Sequence, residues 1–158
     1  MHLLLIRHAD AGEHDPSRWP DDTLRPMTDA GAKRHKRVAR RLRRRKLAPM
    51  LLLASPWLRA WQTALLTAEV TRCPAPVACP ALAAAPDLRA LARALGPQPP
   101  EAIVALVGHE PWLGQLAALL LTGNATGMAV DVPKSGVLGL ESGGLEAGGA
   151  RLAFFWRR

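Results

Sequence analysis

The sequence predicts an α/β protein: a three-layer α/β/α sandwich on a mostly parallel sheet with an antiparallel edge. Short, continuous apolar runs near residues 2–6, 50–54 and 103–107 alternate with longer stretches of helical spacing. Strands that are apolar on both sides belong to sheets covered on both faces. Two further runs near the C-terminus, separated by a Gly-rich connection, read as an antiparallel pair. At 158 residues the chain has the length of one domain, 1–158. It is long enough to bury a core without disulfide or metal staples.

The elements follow in order. Residues 2–6 form a first buried strand. Residues 8–27, rich in Asp, Pro and Arg, make a long ordered loop. Thr28 caps a helix over about 29–46, with Asp29 in its first turn and a narrow apolar stripe of Val38, Ala39 and Leu42. A second strand, 50–54, leads to a helix from Pro56 to about Thr71 with Leu58, Trp61, Leu65 and Ala68 at helical spacing. Residues 72–86 show no clear period. Pro86-Asp87 opens a helix with Leu88, Leu91, Ala92 and Leu95 on one face, stopped by Gly96. After the linker 97–100 come a third strand, 103–107, and a helix from Pro111 to Leu121 closed near Gly123. The final pair is 137–140 and 151–156.

Composition narrows the function classes. Hydrophobic residues make up 49% and charged residues 22%, as in ordinary globular chains. Apolar runs fall far short of the ~20 residues a spanning helix needs. Met1–Ile6 followed by Arg7 is too short for a secretory leader, so a cytoplasmic location without membrane association is expected. Cys73 and Cys79 are read as reduced thiols. The net charge of +8 is local: ten of the 21 basic residues lie in 33–46, a stretch with no acid, and the remaining 11 are outnumbered by 13 acids.

In a parallel sheet, ligands bind beyond the carboxyl ends of the strands. The three predicted strands end in Arg7-His8-Ala9-Asp10, in Ser55-Pro56-Trp57-Leu58-Arg59 and in Gly108-His109-Glu110-Pro111. Two His and two Arg therefore reach one edge, and Arg25 lies in a loop that must pass it. Phosphoryl transfer uses such a set. Guanidinium forks bind phosphoryl oxygens, a neutral His attacks phosphorus, and a second His hydrogen-bonds the developing charge. Neighbouring guanidinium groups would help keep the nucleophile neutral. Arg charge takes the place that a metal holds elsewhere.

Arg7-His8 at the end of a first strand resembles the signature of the histidine phosphatase superfamily, with its phosphoglycerate-mutase-like fold. Arg25-Pro26-Met27-Thr28, the run Ser55 to Ala64 and Val107-Gly108-His109 are similar to that family as well. The short length and the place of Arg25 resemble the compact bacterial phosphohistidine phosphatases, the SixA-like branch. The resemblance implies that His8 is the phosphorylated nucleophile, that Arg7, Arg25 and Arg59 clamp the phosphoryl oxygens, and that His109 is the second phosphate-binding His. Asp10 is a candidate to position a neighbour. Free N–H groups of the helix at Pro111 are expected beside the pocket. No cofactor and no metal are implied.

The chain departs from larger relatives in one respect. They carry a carboxylic acid near the stretch that here reads Cys79-Pro80-Ala81-Leu82, and no acid occurs from Thr71 to Pro86. Trp61 stands where the compact branch often has an acid. Glu110, beside His109, is the nearest alternative; a helix-start acid favoured by the dipole is its plainer reading. Expelling an alkoxide benefits from a proton donor, whereas a protonated N-phosphoryl imidazole leaves as neutral imidazole. The expected reaction is thus hydrolysis of a phosphohistidine, protein-borne, or of a small phosphoramidate, giving inorganic phosphate. The alternatives are a small-molecule phosphomonoesterase of the same superfamily, and a non-catalytic anion- or RNA-binding module using the basic 33–46 helix. Nucleic acid is disfavoured, because no aromatic residue interleaves with the basic run. His2, His14 and His35 carry no metal spacing and are read as sheet, loop and basic-helix residues. Trp57 and Trp112 flank the site motifs, and Lys134-Ser135-Gly136 is a candidate to reach the site.

Overall fold

The computed structural model describes residues 1–157. Its sheet has six strands: β1 (His2–Arg7), β2 (Leu51–Ala54), β3 (Val77–Ala78), β4 (Ile103–Gly108), β5 (Val137–Ser142) and β6 (Ala150–Trp156). They lie in the order β3-β2-β4-β1-β5-β6. The pairs β3–β2, β2–β4 and β4–β1 are parallel; β1–β5 and β5–β6 are antiparallel. The expected mostly parallel sheet with an antiparallel edge is therefore present. Four helices cover it: α1 (Asp29–Arg44), α2 (Leu58–Thr71), α3 (Leu88–Leu95) and α4 (Trp112–Thr122).

Alternation along the strands sorts the core into two layers. Leu3 and Leu5 of β1 face Leu91, Leu95, Leu113, Leu116 and Leu120 of α3 and α4. Leu4 and Ile6 face the opposite layer, with Leu42 of α1 and Ala60 and Ala64 of α2. Because β1 and β4 are parallel neighbours in register, Arg7 pairs with Gly108. Both strands thus deliver their next residues, His8 and His109, to the same edge.

Four local expectations are corrected. α2 begins at Leu58 rather than Pro56, with Trp57 in extended geometry before it. Its buried face is not the stripe through Leu65, which is 45% exposed. The buried residues are Ala60, Ala64 and the threonines Thr63, Thr67 and Thr71. Each of these hydroxyls donates to the carbonyl four residues earlier (2.6, 2.9 and 2.8 Å), so polar side chains can be buried there. His35 is wholly buried, its Nε2 2.8 Å from Thr67 Oγ1, and belongs to the α1–α2 interface rather than to the basic face. Burial lowers its pKa to about 4. The aperiodic segment 72–86 holds the short β3 and a turn of 3-10 helix over Pro80–Ala83. No helix among the described residues is long and apolar enough to cross a membrane.

Candidate active site

The site is built on the ends of β1 and β4. His8 follows β1 and its N–H donates to Gly108 O (3.0 Å), which extends the ladder by one residue. The rings of His8 and His109 are 5.1 Å apart and tilted by 50°. His8 Nδ1 lies 2.6 Å from Ala9 O. A carbonyl only accepts, so Nδ1 carries the proton and Nε2 holds the free electron pair. Arg59 Nε points at that Nε2 from 3.4 Å. The His8 pKa is lowered to about 4, chiefly by burial, against the raising effect of the Ala9 bond, with Arg59, Arg7 and Arg25 adding to the lowering. The residue is a neutral imidazole at pH 7. The sequence pointed to guanidinium charge as the cause, but burial is the larger one.

His109 is 2% exposed and its pKa is lowered to about 3, first by burial, then by His8 and Arg59. Its Nε2 lies 2.8 Å from Ser55 Oγ. That hydroxyl already accepts from Trp57 N–H (3.3 Å), and donating its own proton to His109 completes its bonding. The imidazole proton then sits on Nδ1. Trp57 packs on His109 at 4.5 Å between ring centroids and on Trp112 at 5.8 Å, so both tryptophans wall the site.

The arginines are held differently. Arg59, 4% exposed, donates from NH1 to Asp22 O (2.7 Å) and pairs through NH2 with Asp22 Oδ2 (3.0 Å). Arg7 NH1 donates to Val132 O (2.8 Å), while its Nε is buried without a partner. Arg25 is brought to the same cluster. Its Nε donates to Asp22 Oδ1 (2.7 Å), and its NH1 donates to Ala11 O and Gly12 O. Those N–H groups hold the loop, so Arg25 acts on the site chiefly through its charge. Among the described residues four buried side-chain atoms lack a hydrogen-bond partner, and three belong here: Arg7 Nε, His109 Nδ1 and Ser135 Oγ. With the proton placements above, all three can donate, as phosphoryl oxygens require.

The carboxylates are occupied elsewhere. Asp10 pairs with Lys134 Nζ and accepts from Gly12 N–H. The Lys134 bond chiefly holds its carboxyl below the usual range. Glu110 Oε1 accepts from Val132 N–H (2.9 Å) and Oε2 from Gly114 N–H (3.1 Å). It ties the start of α4 to the segment that holds Arg7. At the start of α4 two N–H groups are taken, that of Gly114 by Glu110 and that of Leu113 by His109 O. The Lys134-Ser135 pair does reach the site, and Ser135 N–H donates to the carbonyls of Arg7 and His8.

The sequence reading missed Asp22. It lies in a 3-10 turn, Asp22–Leu24, and its carboxylate meets Arg25 Nε, His14 Nδ1 (2.8 Å) and Arg59 NH2. Burial alone would raise its pKa. The bonds from Arg25 and His14 and the charge of Arg59 outweigh burial and hold the carboxyl well below the usual range. The available signal was an acid three residues before Arg25 in a turn. Ser55 was quoted only as part of a motif; its bond to His109 needed the structure.

Known proteins place this geometry. The sequence profile of the histidine phosphatase superfamily (branch 1) matches residues 3–83. An uncharacterised protein of Picosynechococcus sp. strain PCC 7002 is 37% identical over 145 residues, 90% of this chain and 86% of that one. Among solved structures, the protein histidine phosphatase SixA complexed with tungstate superposes with a TM-score of 0.78 at 24% identity, covering 99% of this chain and 96% of that one. The phosphohistidine phosphatase SixA of Agrobacterium tumefaciens, so titled provisionally, gives 0.74 at 24% identity over 98% and 96%. A mycobacterial glucosyl-3-phosphoglycerate phosphatase with VO3 gives 0.74 at 16% identity over 99% of each chain. These likenesses establish a shared fold, and the profile match together with the 37% identical relative establishes the family. With an imidazole pair on adjacent parallel strands and arginines around it, the chain belongs to the histidine phosphatase superfamily and is a hydrolase.

Proposed function

We propose that this hydrolase removes the phosphoryl group of a protein-borne phosphohistidine through a phospho-His8 intermediate, with arginine rather than metal charge in the clamp. The reading rests on one observation: no carboxyl at the site is placed as a proton donor. Asp22 is held by Arg25, Arg59 and His14, Asp10 is paired with Lys134, and Glu110 caps two backbone N–H groups. Ala81 lies in the 3-10 turn where an acid was sought.

The His8 geometry suits a substrate that needs no such donor. The Nε2 pair attacks phosphorus, and the P–N bond to the substrate imidazole breaks. With its other nitrogen protonated, that ring departs neutral. His8 is then an Nε2-phosphorylated imidazolium whose Nδ1–H keeps donating to Ala9 O. Water attacks phosphorus next, and the bonding pair returns to Nε2. Neutral His8 and inorganic phosphate result, with the water's surplus proton released to solvent. Arg59, Arg7, His109 and Ser135 donate to the oxygens throughout.

The test is phosphate release in EDTA from a phosphohistidine peptide, phosphoramidate and simple phosphate esters, with His8→Ala as blank. Selective release from the N-phosphorylated compounds is expected. Preference for esters would overturn the substrate reading and indicate a small-molecule phosphomonoesterase.

A further inference from the structure

We propose that the exposed basic face of α1 is a docking surface for an acidic segment of the protein that carries the phosphohistidine. The identity of that partner rests on the reading above; the surface itself does not.

The ten basic residues of 33–46 enter none of the ion pairs found among the described residues. Most are exposed. Such a density of like charge without internal carboxylates repels itself until an external anion approaches.

Position adds to charge. α1 begins at the catalytic edge, where Thr28 N–H donates to Asp10 O (2.8 Å) and Gly31 packs against Asp10. Arg34 is near enough to lower the Asp10 pKa. At ~1.5 Å rise per residue the cations from Arg34 to Arg44 extend ~15 Å along the helix. A track of that length matches a segment of a macromolecule, not a small phosphoramidate.

The surface also has shape. Arg37, Arg41 and Arg44 recur at helical spacing and, with Val38 and Trp156, line a hollow of about 200 Å³. Trp156 of β6 pairs with Val137 of β5, which in the preceding register is level with Ile6. Trp156 therefore stands level with Ile6, two strands away from it. The long-range fold thus brings an aromatic ring into the basic run, where the sequence shows none. Phe154 stacks on that ring at 4.5 Å and 26°, and the Arg41 guanidinium lies over it at 4.1 Å. Both groups pack on the ring and leave less of it open for a nucleic-acid base to stack on. The guanidinium forks around it suit the carboxylates of an acidic segment.

The experiment uses the whole protein and the double variant Arg37→Glu/Arg44→Glu, both exposed positions away from the phosphoryl site. Fluorescence anisotropy measures binding of a labelled oligoglutamate and of a thymidine oligonucleotide of equal charge at about 50 mM and about 300 mM salt. Hydrolysis is followed with one phosphohistidine peptide flanked by Glu and another flanked by Ser. We expect oligoglutamate to bind at low salt, to weaken at high salt and to be lost in the double variant. The Glu-flanked peptide should exceed the Ser-flanked one about tenfold in kcat/KM, and the variant should lose that advantage while keeping wild-type rates on the Ser-flanked peptide. Tighter binding of the oligonucleotide overturns the proposal in favour of a nucleic-acid surface. Failure to bind oligoglutamate, or binding indifferent to the double variant, also overturns it. If oligoglutamate binds as expected but neither peptide is hydrolysed, the surface stands and the phosphohistidine partner is refuted.

Discussion

Arg59→Gln tests why His8 is neutral. The pKa of His8 is lowered from 6.5 to about 4, with burial the largest lowering cause and Arg59 the first of three charges behind it. At ~1.36 kcal/mol per unit, that displacement disfavours the imidazolium by about 3 kcal/mol. At pH 5.5 an ordinary His would be only about one-tenth neutral, whereas His8 is almost entirely neutral, a gap of roughly tenfold in competent nucleophile. Arg59→Gln removes a charge whose Nε sits 3.4 Å from Nε2 but leaves a side chain of comparable reach. The midpoint should rise and still remain below 6.5, because burial persists. The assay is an NMR titration of the histidine Cε1 resonances, with His8 assigned from its loss in His8→Ala. A wild-type midpoint near 6.5 would refute the argument outright. Full return to 6.5 in Arg59→Gln would show that charge, not burial, sets the value.

Other outcomes follow from the same contacts. His8→Ala should abolish turnover while leaving the urea midpoint near wild type, measured by phosphate release and circular dichroism. His35 titrates at about 4 in the fold and near 6.5 in the unfolded chain. Between those values the unfolded state binds more protons, so stability is full above pH 6.5 and falls as pH drops toward 4. His35→Gln should remove roughly 2 kcal/mol of the loss between pH 7 and 5, read from urea curves. Gly31→Ala would place a Cβ 2.3 Å from Asp10 O and 3.0 Å from Asp10 N, both backbone atoms that cannot yield locally. It should cost on the order of 1–3 kcal/mol and lower kcat through the displaced strand end, checked by thermal melting and kinetics. Glu110→Gln turns one of two acceptors for Val132 and Gly114 into a donor. A loss of about 1–3 kcal/mol is expected, with a raised KM because Val132 holds Arg7.

What could be read from the chain was what depends on local pattern. Apolar runs located the major strands, and the rule about strand ends then located His8, Arg59 and His109 without any knowledge of their contacts. Arg25 was also placed near the site, but its bonds to Ala11, Gly12 and Asp22 depend on how a twenty-residue loop folds back, which no period reveals. Asp22 was invisible for the same reason. The α2 stripe misled because hydropathy treats Thr as polar, whereas Thr63, Thr67 and Thr71 satisfy themselves on their own helix. His35 was assigned to the charged face by its neighbours in sequence; its burial is decided by Thr67, 32 residues away.

The pairing of β1 with β4 has a consequence for how such a catalyst can diversify. The spacing between His8 and His109 is fixed by the inter-strand distance of a parallel ladder, and the His8 N–H to Gly108 O bond carries that ladder to His8 itself. Insertions or exchanges in residues 11–24 or 123–134 can reshape the approach to phosphorus without altering that separation. His8 and His109 should therefore exchange their amide hydrogens with the slowest part of the molecule, while residues 11–24 and 123–134 exchange with the fastest. The imidazole spacing is thus set apart from the loops, whereas the arginine clamp is not: Asp22 and Val132, which hold Arg59 and Arg7, lie within them.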